Sequence, residues 1–300
     1  MTLLAYNFSN WQRLTNIRYK NCSESSALGK LQEVKEHWES ETVGTRYSIS
    51  ETRKQFYAEI RQARYELEPF IKSFADFESA AGDSVLEIGV GAGSDFSNWV
   101  GNGAMATGID ITAAAVEHTR AHLNSLDLSG KETSLSQANA EELPFHDDSF
   151  DLVYSWGVLH HTPDTLKALT EVQRVLRPNG RMKIMVYSKN SWSAWMMWGI
   201  HGLLKGKPFK SPRVCVYDNL ESPGTKSYSI HEAEKLVSEA GFSNVHAWTL
   251  LGPGDLLTIK PSKRYQSLLS RMAFAVYPRW IIRALGNRFG LYLLITADKA

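Results

Sequence analysis

The stretch VLEIGVGAGSDFSNW, residues 85–99, constrains this chain more than any other. Its apolar, β-branched start reads as a buried strand that stops at Gly89. Gly91 and Gly93 follow at two-residue spacing, so the backbone can turn sharply and approach a ligand with no Cβ in the way. The helix after them presents its N-terminus to the same place. Strand, glycine turn and helix together are the nucleotide-binding geometry of an open α/β sheet at its switch point.

The G-x-G pattern alone is common, and three neighbours narrow the ligand. Ser94 stands where a dinucleotide fingerprint requires its third glycine. Glu87 lies inside the strand, where it would repel a pyrophosphate and attract an amine or other cation. Asp110 ends the second strand, placed to accept hydrogen bonds from both hydroxyls of a ribose. The ligand these residues describe has an adenosine ribose, no phosphate and some positive charge. S-adenosylmethionine (SAM) has all three properties, and a nicotinamide cofactor is disfavoured by Ser94 and Glu87.

The pattern around this motif alternates. Strands are expected at 84–90, 104–110, near 133–139, and at 151–157, 181–188, 244–251 and 290–299. A helix is expected over 112–126, and another begins with Thr162 as cap and Pro163 at its first position, running to about 176. Ser229 and Glu232 form a capping box for a third, with Gly241 at its C′ position. Such alternation implies a parallel sheet with helices on both faces. Residues 1 to about 75 read as helical, with Ser50 capping a helix whose apolar face is Phe56, Ile60, Ala63 and Leu67. Pro69 ends or kinks it, and Phe70, Ile71 and Phe74 continue the stripe. Insertions are expected at about 189–228 and 252–289.

Composition excludes several classes. Lys and Arg number 33 against 32 Asp and Glu, so the basic excess of a nucleic-acid binder is missing. Cys22 and Cys215 lie far apart with no metal-ligand spacing, which points to a reducing compartment and to no structural zinc. The start MTLLAYNFSNWQRL lacks the pattern of a signal peptide, and the apolar run from Trp192 is too short to span a bilayer. A cytoplasmic location is expected.

Four motifs in order carry a resemblance: E-x-G-x-G-x-G at 87–93, ID at 109–110, ANAEELPFHDDSFDLVYSWGVLHH at 138–161, and L-x-E-V-x-R-V-L-R-P-N-G at 169–180. With these the chain resembles the class I SAM-dependent methyltransferases, in the small-molecule branch that includes the ubiquinone/menaquinone C-methyltransferases. The resemblance covers roughly 82–188 and continues more weakly to 251. It implies a Rossmann-like doubly wound α/β sheet, mostly parallel with an antiparallel last strand, an N-terminal helical lid over 1–75, and a SAM-binding domain over 76–300 carrying the inserted cap segments.

The resemblance also implies roles for residues. Glu87, Gly89, Gly91 and Gly93 line the methionine side and the ribose turn, Asp110 takes the ribose, and Ile111 packs on the adenine. Asn139, Ala140 and Glu141 occupy the adenine-edge loop, where the family carries Asp at the position of Asn139. The Asn carbonyl oxygen still accepts from an adenine amino group. Ser155 and Trp156 follow the fourth strand, where the methyl group should emerge. Tyr65 or Arg46, from the N-terminal segment, would reach the SAM carboxylate, with Trp38 as a further lid residue.

Methyl transfer from a sulfonium requires alignment and exclusion of water more than it requires a base. If a base is used, the catalytic candidates are His160, His161, Tyr187 and His37. No metal site is expected, because His160 and His161 are adjacent and poorly placed to chelate together. The function expected is methyl transfer to an O, N or C nucleophile of a small, apolar or aromatic metabolite, leaving S-adenosylhomocysteine. The Trp/Met-rich run 192–204 is read first as a cap on the acceptor pocket, with completion of the core or of a dimer surface, and contact with a membrane surface, as the other readings. Two alternatives stay open: a lipophilic quinone or lipid substrate with peripheral membrane contact, for which the basic, aromatic stretch 277–290 speaks, and a SAM-binding sensor without catalysis.

Overall fold

The computed structural model describes residues 24–40, 42, 44–131, 133–220, 224–258 and 277–300; the helical expectation for 1–23 lies outside them. The apolar run after Asp83 forms β1 (Ser84–Ile88), buried on both faces as a central parallel strand must be. It pairs in parallel with β2 (Met105–Asp110) on one side and β4 (Phe150–Trp156) on the other. Adding β3 (Thr133–Gln137), β5 (Leu176–Tyr187), β6 (Phe242–Leu250) and β7 (Tyr292–Lys299) gives seven strands in the order β3-β2-β1-β4-β5-β7-β6. The first five run parallel, and β7 is antiparallel to both β5 and β6. The chain leaves β1 in one direction to reach β3 and in the other to reach β5, so a crevice opens where β1 and β4 diverge.

Helices cover both faces. Leu86 and Ile88 point to one face, against Leu169 and Val172 of α6 (Thr165–Val175) and Ala233 and Val237 of α9 (Ile230–Glu239). Val85 points to the other, packed with Phe96 and Trp99 of α4 (Phe96–Gly101), Leu123 of α5 (Ala113–Ser125) and Ile71 of α3 (Phe70–Ala75). By the same alternation Glu87 enters that second layer, between the sheet and the N-terminal helices. The layer is closed by α2 (Arg53–Leu67), whose Tyr57 ring stacks on His122 of α5 at 4.8 Å. Among the described residues, α1 (Glu24–Ser40) precedes α2 in the N-terminal segment.

The Ser229–Glu232 capping box and the left-handed Gly241 stand as read from the sequence. Three details differ. α2 begins after Thr52, not Ser50, because the Ser50 hydroxyl is taken by Glu59 at 2.8 Å, and the face it buries carries Tyr57 and Ile60. α6 is capped by Asp164, whose carboxylate accepts the Lys167 N–H at 3.1 Å, so Thr162 and Pro163 precede the helix. β5 begins at Leu176, paired with Phe150, and the register shifts before Arg181 meets Leu152. Asn179, at φ +64°, sits within the residues extruded by that shift.

Between β5 and α9 the chain forms α7 (Trp192–His201) and α8 (Pro212–Asn219). Between β6 and β7 the described residues form α10 (Pro253–Leu256) and α11 (Arg279–Ala284). The buried Asp255 carboxylate ties these segments together, accepting from the backbone and hydroxyl of Ser193 and from the N–H groups of Gly252 and Leu291.

Candidate active site

A cavity of about 490 Å3 lies at the carboxyl ends of β1, β2, β4 and β5. The chain turns into it at Gly89, where φ is +86° and a Cβ would sit 2.1 Å from Val158 Cγ2. Only glycine satisfies both conditions. Gly93 (φ +78°) is required for another reason: a Cβ there would meet the backbone of Thr119 at 3.0 Å, so it lets α5 pack against the loop rather than lining the cavity.

One end of the cavity is acidic. Asp110 Oδ2 accepts the Gly91 N–H at 3.2 Å, and its Oδ1 accepts the backbone and hydroxyl of Thr112 at 3.0 and 2.9 Å. Burial raises its pKa, and those bonds oppose the rise. Glu87 is buried beside it, with Oε2 meeting no hydrogen-bond partner among the described residues. Burial, reinforced by the charge of Asp95, pushes its pKa well above the ordinary carboxylate range, while Arg64 pulls the other way. A buried acceptor left open on a cavity wall is costly unless a ligand completes it.

Beneath Glu87 runs a network joining α2 to the core. Arg64 donates to both oxygens of Asp95 and, at 2.9 Å, to Glu68. Tyr65 and Tyr154 donate to Asp95 at 2.8 and 3.0 Å, and Tyr292 donates to Glu68. Burial works against the charge of Arg64, but Asp95 and Glu68 more than offset it. Burial and the neighbouring Asp95 hold the Tyr65 hydroxyl protonated.

The other end is aromatic. Trp156, buried between Phe70, Phe74 and Tyr292, lines the cavity with Tyr187, Tyr292 and His161. Tyr187 and Tyr292 stack at 6.2 Å. Trp38 of α1 closes over this end, its ring edge-on to His161 at 5.4 Å, and His37 stands beside it. Leu220, Pro253 and Leu291 complete the wall.

The structure thus brings Glu87, Gly89, Gly91, Asp110, Ile111, Asn139, Ala140, Trp156, Arg46, His37, His161 and Tyr187 to one cavity. Gly93, Tyr65, Glu141, Ser155 and His160 stand outside its lining. Glu141 accepts the Asp164 N–H at 2.7 Å, and Ser155 donates to the Ile88 carbonyl at 3.0 Å, so both brace loops. His160 is fully buried behind His161 and Tyr187, with neither ring nitrogen bonded among the described residues, and burial holds its pKa far below the usual value, so it is neutral. Asn139 Oδ1 accepts the Glu141 N–H at 3.0 Å, which orients its amide. Arg46 reaches the cavity from an exposed position, bonded to the Tyr47 hydroxyl at 3.1 Å. The helix α7 contributes nothing to the lining; Leu220 and Pro253 mark the parts of the insertions that do.

Sequence reasoning missed Arg64, Glu68, Asp95 and Tyr292. The Arg64–Glu68 pair has a readable signal, the i,i+4 spacing of opposite charges on a helix. Nothing in the sequence joins Tyr292 to Glu68, 224 residues away. Among the described residues no group of His, Cys, Asp and Glu is arranged to hold a metal ion, and no helix is long and apolar enough to cross a membrane.

Comparison with known proteins agrees with this geometry. A family profile described as a methyltransferase domain matches residues 86–184. The chain is 37% identical over 105 residues to 27-O-demethylrifamycin SV methyltransferase of Amycolatopsis mediterranei, covering 35% of this chain and 38% of that protein. It is 30% identical over 182 residues to the ubiquinone/menaquinone biosynthesis C-methyltransferase UbiE of Vibrio vulnificus, covering 57% of this chain and 68% of the relative. The geranyl diphosphate C-methyltransferase of Streptomyces coelicolor superposes over 90% of this chain and 98% of its own, with a TM-score of 0.60 and 15% identity, a likeness of fold alone. The chain belongs to the class I SAM-dependent methyltransferases, in the small-molecule branch to which the ubiquinone/menaquinone enzymes also belong. The match spans well under half the length of the rifamycin relative, so that protein's substrate does not transfer.

Proposed function

We propose that this protein transfers the methyl group of SAM to a small apolar or aromatic acceptor. The observation that carries the reading is a single cavity with a buried acidic end, Glu87 and Asp110, continuous with an aromatic end, Trp156, Tyr187 and Tyr292. The donor set fits SAM: an open carboxyl oxygen on Glu87 suits its amine and sulfonium, and Asp110 suits ribose hydroxyls. Bound there, SAM supplies a methyl carbon activated by the sulfonium, which departs as the neutral thioether of S-adenosylhomocysteine.

The chain's own residues bind, orient and exclude water. Gly89 and Gly91 let the backbone approach the cofactor, Ile111 and Ala140 flank the adenine, and Asn139 meets its edge. Gly93, Glu141, Ser155 and Tyr65 act behind this wall by holding its loops. Arg46 lines the cavity from an exposed position and approaches the methionyl carboxylate from there, while Arg64 is bonded to Asp95 and Glu68. The segment up to residue 75 serves as a lid, with Trp38 seated over the aromatic end to shield the methyl group from water. If the acceptor arrives protonated, His161, Tyr187 or His37 takes the proton, being titratable groups on the aromatic wall. Neutral, enclosed His160 supports the ring of His161 instead.

Transfer of labelled methyl from SAM into a cell extract, fractionated into small molecules, lipids and macromolecules, tests the reading. Label in small aromatic or apolar compounds is expected. Tight SAM binding with no label in any fraction would favour a sensor.

A further inference from the structure

The two inserted segments turn a distinctive surface outward. Residues 192–217 and 277–290 together carry seven Lys and Arg and no Asp or Glu, in a chain whose formal net charge is only +1. The rest of the chain is therefore net negative, and the positive charge is concentrated here. Lys205, Lys207, Arg283 and Arg288 are exposed and have no carboxylate partner among the described residues. Set among them are large apolar side chains that the fold leaves in solvent: Leu204 at 81% exposure, Phe209 entirely, and Trp280 at 75%. Leu203, Trp195 and Leu285 add to them at about half exposure. Single exposed apolar residues are ordinary, but large ones concentrated in two cationic segments are not.

The two segments are neighbours. Trp192 at the start of α7 meets Phe289 at 5.9 Å, and the Asp255 carboxylate binds Ser193 to the start of β7. Pro253 of α10 and Leu220 after α8 belong to the aromatic end of the cavity wall.

We propose that these segments dock the protein on an anionic membrane surface, Lys205, Lys207, Arg283 and Arg288 meeting lipid headgroups while Leu204, Phe209 and Trp280 enter the interface between headgroups and acyl chains. A nucleic acid or an acidic protein would use the cations but gives no reason for the aliphatic and aromatic knobs. A bilayer uses both, and stable peripheral binding needs more than one such signal. The insertions that carry this face also supply Leu220 and Pro253 to the cavity wall, so an apolar acceptor would pass from the bilayer toward the aromatic end. That last step rests on the methyl-transfer reading; the docking does not.

Co-sedimentation of the full chain with vesicles separates the two. Binding is expected to vesicles of equimolar phosphatidylcholine and phosphatidylglycerol, with weak binding to phosphatidylcholine alone. The triple charge reversal Lys205→Glu, Lys207→Glu, Arg283→Glu should weaken it by at least a factor of roughly fivefold per residue, the scale of one cation at an anionic surface. Phe209→Ser with Trp280→Ser should weaken it as well, and the summed Trp emission should shift to the blue on binding in the parent chain, by less in a Trp280→Phe variant. These positions are exposed, so both variants should keep S-adenosylhomocysteine affinity in calorimetry, which also confirms that they fold. Absence of binding to anionic vesicles, or binding unchanged in the variants, would overturn the proposal. Retention on a soluble polyanion without vesicle binding would reassign the face to a nucleic acid or acidic partner. A parent chain that binds vesicles but not S-adenosylhomocysteine would leave docking standing and remove the cofactor reading.

Discussion

The two ends of the cavity are held by different physics. The acidic end is made at the ends of adjacent parallel strands, where Glu87, Gly89 and Asp110 are fixed by ladder register and by short-range bonds such as Asp110 to Thr112. The aromatic end is assembled from distant pieces, α1, β5, β7 and the two inserted segments, which meet through ring contacts and through the single carboxylate of Asp255. Local hydrogen bonding makes the first a rigid frame. The second is a surface that can be rebuilt without disturbing that frame, which suits a fold whose members share a cofactor and differ in acceptor.

The largest test of that contrast is Asp95→Ala. It leaves Arg64 buried without its main partner, and a loss of about 3–5 kcal/mol is expected in urea unfolding. A loss below about 1 kcal/mol would show that α2 is not fastened to the frame through this pair.

The joint between α2 and α5 is tested next by pH. His122 Nδ1 lies 2.8 Å from the Ala92 carbonyl, so that nitrogen carries the proton of a neutral ring, and burial pulls its pKa from 6.5 down to about 4. Between those values the unfolded chain binds a proton that the folded chain does not. Stability from this residue is therefore full above pH 6.5 and falls as pH drops toward 4, by on the order of 2–3 kcal/mol. Thermal melts across that range should show the decline, and His122→Gln should flatten it.

Asp110→Ala should weaken SAM binding by about 1.5–3 kcal/mol, the worth of hydrogen bonds to a charged group. Unchanged affinity in calorimetry would take Asp110 out of the ribose role. At the aromatic end, Trp38→Ala should raise the acceptor KM roughly fivefold to tenfold, the loss of about 1 kcal/mol of ring contact, with SAM affinity little changed. Equal losses for both ligands would mean that the lid serves the frame. The smallest effect is expected for His160→Leu. A fully buried ring with no hydrogen bond among the described residues has little to lose, so stability should stay within about 1.5 kcal/mol of the parent. If turnover collapses while folding is retained, His160 has a role in catalysis that its enclosure does not reveal.

Much of the frame was legible in the residues. Apolar runs ending in glycine give buried strands, and Ser229 with Glu232 and Gly241 brackets α9, because these signals act over three or four residues. The same locality explains the misreadings. Ser50 and Thr162 look like caps in isolation, yet Glu59 claims the first and Asp164 supplants the second. The Trp/Met-rich run reads as a cap from its composition, but the fold turns α7 away from the cavity and gives the wall to Leu220 and Pro253.

By itself the sequence determined the strand–turn–helix frame, the acids at its strand ends and the family to which the chain belongs, because strand pattern, glycine turns and motif spacing are local properties. Only the tertiary structure decided which side chains share the cavity. It set Tyr292 on Glu68, Arg64 on Asp95 and Trp38 on His161, and it buried His160 out of reach. Such pairings depend on how helices and strands far apart in the chain pack, and packing is a property of the whole fold rather than of any segment of it.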